Sequence, residues 1–149
     1  LLLSTLNPDG SPALSYTPFV DHEGQFLILT SHLSAHTGNL INDSRATVLF
    51  IEDESRCEQI YARRRLRFQC EAQRFAKETM DWNELIDLFA ERFGEIIDTL
   101  RTLPDFELFA LTPQGGQWVK GFGKAFDFRG RIHQDVNHLN PKKDSPQRP

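Results

Sequence analysis

Two histidines, His32 and His36, stand in the polar stretch Ser31-His32-Leu33-Ser34-Ala35-His36-Thr37-Gly38. Histidine switches charge, binds metal and shuttles protons near neutral pH. His36 follows a candidate strand and opens a candidate helix, so its ring is a candidate cofactor contact, with a plain cap or interface role as the alternative. His32 is a second pocket candidate, and His22 sits in a turn and reads as solvated surface. Arg63-Arg64-Arg65 is the densest run of cations between two candidate strands. Alternation sends Arg63 and Arg65 to one side and Arg64 to the other. Guanidinium forks match phosphate and carboxylate, so one side is expected to face the anionic part of a cofactor. Glu52-Asp53-Glu54 suggests a carboxylate cluster, but consecutive residues of an extended chain point apart, and strand-end surface charge is the simpler reading. Cys57 and Cys70 have neither CxxC spacing nor paired histidines at zinc-ligand intervals, so a structural metal is not expected. Reduced thiols suit a cytoplasmic protein. No Ser-His-Asp or Cys-His arrangement stands out.

The elements that must position these residues are short. Leu1 to Leu6 reads as a strand, Asn7-Pro8-Asp9-Gly10 as a turn, Pro12 to Val20 as a second strand and Gln25 to Thr30 as a third. Together they predict a three-stranded antiparallel meander. A short helix follows, with Ser34 as its N-cap. Ala46 to Glu52 is almost continuously apolar, which predicts a strand buried on both faces. Arg65 to Phe75 alternates, with Leu66, Phe68, Cys70 and Ala72 on one face and Arg65, Arg67, Gln69 and Glu71 on the other, as in a barrel wall.

From Lys77 to Leu100, apolar residues recur at three- and four-residue steps from Trp82 onward. This predicts a helical insertion near 77–102, broken or kinked at Gly94, whose stripe serves core or dimer packing. Phe106 to Leu111, Gln117 to Val119 and Lys124 to Phe128 read as closing strands split by Gly115-Gly116 and Gly121-Phe122-Gly123. No helix follows the second glycine pair, so it marks a turn or close backbone approach, not a dinucleotide fingerprint. Ile132 to Leu139 has room for a short strand. Residues 140–149 read as a disordered tail after one domain spanning 1–139.

The chain has 149 residues and a net charge of −4, enough for one core and the wrong sign for a general nucleic-acid binder. The longest apolar runs are strand-length, so no membrane span is expected. The opening Leu1-Leu2-Leu3 lacks an initiator Met and reads as core of a strand, with an upstream segment missing.

In order along the chain, six segments carry a resemblance. They are Thr17-Pro18-Phe19-Val20, the stretch Ser31 to Leu40, Ile51-Glu52-Asp53-Glu54, Ala62-Arg63-Arg64-Arg65-Leu66, Glu91-Arg92-Phe93-Gly94 and Gly121-Phe122-Gly123-Lys124-Ala125. Taken together the chain resembles the HugZ/HutZ-type haem-utilisation proteins, within the pyridoxamine-5′-phosphate-oxidase-like, FMN-binding split-barrel superfamily. The resemblance runs from about Leu1 to about Leu139. It implies a mainly β fold, an antiparallel FMN-binding-type split β-barrel with peripheral helices. It also implies a homodimer with a flat conjugated cofactor, haem or FMN, at the subunit interface.

For FMN, the resemblance places Ser15, Tyr16, Thr17, Leu29, Thr30, Ala35 and His36 along the cofactor. Ser15 and Val20 stand where the oxidases carry Arg and Lys, Ala35-His36 where they carry Arg-Lys, and Arg65 near a flavin-contacting Gln. Most of the phosphate clamp is thus absent, as are the C-terminal Trp and Arg elements, which disfavours pyridoxamine-phosphate oxidation. FMN binding would need donors from His36, Arg63, Arg64 or the early-helix amides.

For haem, the resemblance keeps His36, Arg65 and Asp105, with His32 and Arg63 beside them. Arg65 and Asp105 take the catalytic places, Asp105 steering a ligand histidine or water by hydrogen bonding. The family's axial histidine lies in a C-terminal Gly-His-Arg-like run. Here that stretch is Asn140-Pro141-Lys142-Lys143, with Lys143 at the ligand position, so His138 or His133 would have to reach the iron instead. Three readings follow: a haem-binding protein that opens the ring oxidatively with an external reductant, an FMN flavoprotein of unknown substrate, and a non-enzymatic haem carrier.

Overall fold

The computed structural model describes residues 1–130 and 136–139. His133, the stretch Asn140-Pro141-Lys142-Lys143 and the 140–149 tail lie outside the described residues. Alternating apolar residues pair the first strands, β1 (Leu2–Leu6) and β2 (Pro12–Tyr16), across the Asn7–Gly10 turn. Gly10 supplies φ +81 there and donates its N–H to the Asn7 carbonyl at 2.8 Å. β3 (Val20–His22) and β4 (Gln25–Ser31) form a second hairpin. Then come helix α1 (Ala35–Asn42), β5 (Arg45–Ile51), two single turns at Glu54–Arg56 and Ile60–Ala62, and β6 (Arg65–Phe75). Helices α2 (Met80–Phe93) and α3 (Ile96–Leu100) precede β7 (Phe106–Gly121), β8 (Lys124–Arg129) and β9 (Asn137–His138).

The strands form one antiparallel sheet in the order β2-β1-β5-β6-β7-β4-β3, with β8 and then β9 added beside the second half of β7. The two ends of that path, β2 and β3, are consecutive in the chain and joined only by Thr17, Pro18 and Phe19. The sheet must therefore curl until its edges approach, leaving a split where β2 and β3 do not pair. This is the pyridoxamine-phosphate-oxidase-like split barrel that the sequence implied. The meander is corrected. The expected second strand breaks at Pro18, which has no N–H for a ladder, and its halves lie on opposite edges of the sheet.

Two cores result. Inside the barrel, Leu3, Ile28, Val48, Phe68, Phe109, Leu111 and Phe128 pack together, with a chain of edge-on and tilted rings running through Phe19, Phe26, Phe50, Phe68 and Phe128. Outside it, Trp82, Ile86, Phe89 and Ile97 of the helical pair cover Val20, Leu27, Leu29, Leu108 and Ala110. The helix break falls where expected, with Gly94 at φ +76. Thr79 Oγ1 caps α2 by accepting the Trp82 N–H at 3.2 Å.

Three further expectations are corrected. β5 is buried only on its inward face, through Ala46 and Val48, while Thr47 and Leu49 are half-buried and Ile51 is exposed. Gly115-Gly116 does not split a strand, because β7 runs through it with a register shift nearby. A Cβ on Gly116 would sit 1.9 Å from the Arg67 carbonyl oxygen, so glycine is there for close approach. Ser34 holds the N-cap position of α1, but its side chain makes no capping bond.

Candidate functional site

The helical pair covers only half of the barrel's outer wall. Residues paired across strands share a face, and the register assigns the uncovered half. One row reads Tyr16, Leu2, Leu49, Arg67, Gln117 and Asp127, and the next reads Leu14, Ser4, Thr47 and Gln69. Leu14 is 76% exposed, Tyr16 68% and Ile51 41%, an apolar ledge bordered by Arg65 and Arg67. Along the second row, on the side away from the first, lies a groove of about 490 Å³ that includes Ser4, Thr47, Gln69 and Glu71.

At one end of this wall β4 delivers Ser31 and His32 beside the start of β7. Ser31 Oγ donates to Asp105 Oδ2 at 2.5 Å, and the His32 N–H donates to the Asp105 carbonyl at 2.8 Å. The buried Glu107 carboxylate accepts two bonds from Arg74, at 2.8 and 2.7 Å, and a third from His32 Nε2 at 2.8 Å. Burial pushes the Glu107 carboxyl up, but the hydrogen bonds from Arg74 and His32 outweigh it and hold it below its ordinary value. Asp105 is thus fixed at its backbone and its carboxylate by a braced corner.

His36 lies on α1, which leaves from that corner. Thr37 Oγ1 ties the helix to the Ser31 carbonyl at 2.6 Å, and Asn39 Nδ2 ties it to Thr5 and Asn7 at 3.0 and 3.1 Å. The His36 ring is buried and makes no hydrogen bond to another described residue, and burial lowers its pKa.

At the other end of the wall, Arg65 opens β6. Asp105 and Arg65 are separated by the length of β6, about 30 Å at about 3.3 Å per residue. One chain therefore does not bring them together. The expected pairing of Arg63 with Arg65 on one side is corrected. Arg63 precedes the strand and turns back on the Glu52 carbonyl, at 3.1 Å from Nε, while Arg65 Nη1 donates to the Arg63 carbonyl at 3.0 Å. Arg64, ion-paired with Glu52, is the one that shares a cleft of about 760 Å³ with Arg65, Arg56, Lys120 and Trp118.

Of the remaining candidates, Tyr16 stands on the uncovered wall and most of the others are enclosed. Thr17 and Thr30 are buried, Leu29 belongs to the second core, and Ser15 Oγ donates to the Leu3 carbonyl at 3.3 Å. Val20, at an oxidase cation position, is also in the second core. Tyr16 and Ala35 are exposed. His138 pairs with Phe126, with ring centroids 5.0 Å apart, and its Nε2 lies 3.2 Å from the Gly123 carbonyl. The register puts it on the face of Phe126 and Trp118, opposite the Arg67 row. Glu107 and Arg74 escaped the sequence reading. The signal was a lone carboxylate inside the apolar run Phe106-Glu107-Leu108-Phe109, which needs a buried partner. Arg56 and Lys120 carried no signal beyond their charge.

The chain compares closely with known proteins. The family model described as pyridoxamine 5′-phosphate oxidase matches residues 1–120. Vibrio cholerae HutZ, a haem oxygenase, is 40% identical over 139 residues, covering 93% of this chain and 79% of that protein. A crystal structure of Vibrio cholerae HutZ, there called a haem storage protein, superposes with a TM-score of 0.71 at 39% identity, over 75% of this chain and 79% of that one. Campylobacter jejuni ChuZ superposes with a TM-score of 0.81 at 31% identity, over 99% of this chain but 60% of its own. With the motifs, the split barrel and these matches in agreement, the chain belongs to the HutZ-type branch of the pyridoxamine 5′-phosphate oxidase-like family.

Proposed function

We propose that two copies of this chain pack their uncovered walls together and bind haem in the slot between them, as a haem-utilisation protein. The observation that carries this reading is the half-covered barrel: an apolar ledge with a cationic end and an Asp105 end. A twofold axis across the wall sets opposite ends of two copies side by side. Asp105 of one copy then approaches Arg65 of the other, although about 30 Å of strand separates them within one chain. Haem fits such a slot, being flat and apolar with two carboxylates at one edge. Arg65 would hold a carboxylate arm, Asp105 would orient a ligand or water through its fixed carboxylate, and His36 would close the slot against solvent. When bound, haem supplies an iron centre for oxygen chemistry driven by an external reductant. The chain's own residues position it and keep water out. Two free cysteines, Cys57 and Cys70, suit a reducing, cytoplasmic setting. Among the described residues no helix is long and apolar enough to cross a membrane.

A second reading, haem carriage without ring opening, draws support from His138, whose ring is engaged by Phe126 and the Gly123 carbonyl. FMN is the weaker alternative, because Val20, Leu29 and Thr30, at its phosphate segment, are enclosed in the fold. Haem titration of the purified protein separates these. A Soret band that forms on binding and bleaches with ascorbate supports the enzyme. A band that forms and persists supports the carrier, and two broad flavin bands in the isolated protein support FMN. His36→Ala and Arg65→Ala are each expected to weaken haem affinity, and unchanged affinity in both would remove this site.

A further inference from the structure

The cleft beside Arg65 is cationic in a chain whose net charge is −4. Arg56, Arg64, Arg65 and Lys120 line it, against Glu52 and Asp53. Both carboxylates are already engaged, Glu52 by one of the cleft's own cations. Glu52 pairs with Arg64, whose Nε donates to Oε1 at 3.0 Å. Asp53 Oδ1 accepts from the Ser55 N–H at 2.8 Å and the Ser55 hydroxyl at 2.6 Å. That leaves Arg56 and Lys120 without a carboxylate partner among the described residues, and Arg65 bonded only to a backbone carbonyl. Lys120 Nζ lies 5.4 Å from the centre of the Trp118 ring, a contact that keeps the ammonium over the cleft's apolar wall. Phe50 and Leu66 extend that wall. Cations that outnumber their counter-charges repel one another, and an anion relieves that repulsion while gaining charge-assisted hydrogen bonds.

We propose that Arg56 and Lys120, together with Arg65, form an anion subsite that holds the carboxylate or phosphate arm of a flat conjugated ligand lying against Trp118. The cleft shares Arg65 and Ile51 with the uncovered wall, so it adjoins the face on which the proposed slot would form. Naming the arm as a haem carboxylate rests on the haem reading above. The anion subsite itself does not.

The test uses the full chain and the variant carrying Arg56→Gln and Lys120→Gln, both exposed side chains, with folding checked by circular dichroism. Haemin, haemin dimethyl ester and FMN are titrated into each. The expected result is about tenfold weaker haemin binding in the double variant, the order expected on losing charge-assisted contacts, with binding of the neutral ester unchanged. A loss confined to FMN keeps the subsite and makes its ligand a phosphate. Unchanged affinity for both anions, or an equal loss for the ester, overturns it. If the wild type binds neither cofactor, the haem reading falls, and pyrophosphate decides the subsite alone. Saturable shifts of the Arg56 and Lys120 amide signals that vanish in the double variant sustain it, and their absence overturns it.

Discussion

His36 holds its imidazole where burial disfavours the charged form, so its pKa in the fold lies below the ordinary value of 6.5. The unfolded chain then binds more protons as the pH drops through and below that value, and stability falls on acidification. The melting temperature of the ligand-free protein is expected to decline between about pH 7 and about pH 5, and less steeply in His36→Gln, measured by calorimetry across that range. An equal slope in both proteins would show that His36 does not titrate differently on folding. The Cys70 thiol is pushed up to about 12 by burial, which leaves it protonated and structural. Side-chain type made His36 and the Arg63-Arg64-Arg65 run legible as candidates, and only the family resemblance added Asp105. Side-chain type could not reveal the brace of Glu107 and Arg74, because that bond joins residues far apart in the chain. Nor could it show that Arg64, rather than Arg63, shares the cleft with Arg65, because the strand begins only at Arg65.

Among the elements, local pattern sufficed wherever periodicity was long. The apolar spacing from Trp82 onward marked α2 and α3, and Gly94 marked their break. Pattern failed on pairing. Nothing in Pro12 to Thr30 tells that its first half joins β1 while its second half joins β7, because partner choice is settled by closure of the whole sheet. The glycines of β7 show the same limit. Read locally, Gly115-Gly116 weakens a strand, whereas in the fold it lets the β6 backbone approach. Gly116→Ala is accordingly expected to cost about 3 kcal/mol in urea unfolding, since the new methyl meets backbone oxygen that cannot rotate away. A loss near zero would mean that the bulge absorbs the methyl.

For the whole molecule, the wall bearing Leu14, Tyr16 and Ile51 is the feature that a single copy leaves unfinished. Reading β5 as buried on both faces was wrong for one chain, yet the apolar outer residues that prompted it are those a second copy would cover. Leu14→Glu places a charge on that wall without touching either core. Sedimentation is expected to show a dimer for the wild type and a shift toward monomer for Leu14→Glu, because burying an unpaired carboxylate opposes association. A wild-type monomer at the same concentration would count against the shared slot.

One backbone segment, β7, serves as a wall of both hydrophobic interiors, with Phe109 and Leu111 facing the barrel and Leu108 and Ala110 facing the helices. Neither interior can loosen without disturbing a ladder that the other depends on. The helical half is therefore no detachable lid: amide protons beneath the helices and inside the barrel are expected to exchange together, as a single cooperative opening unit.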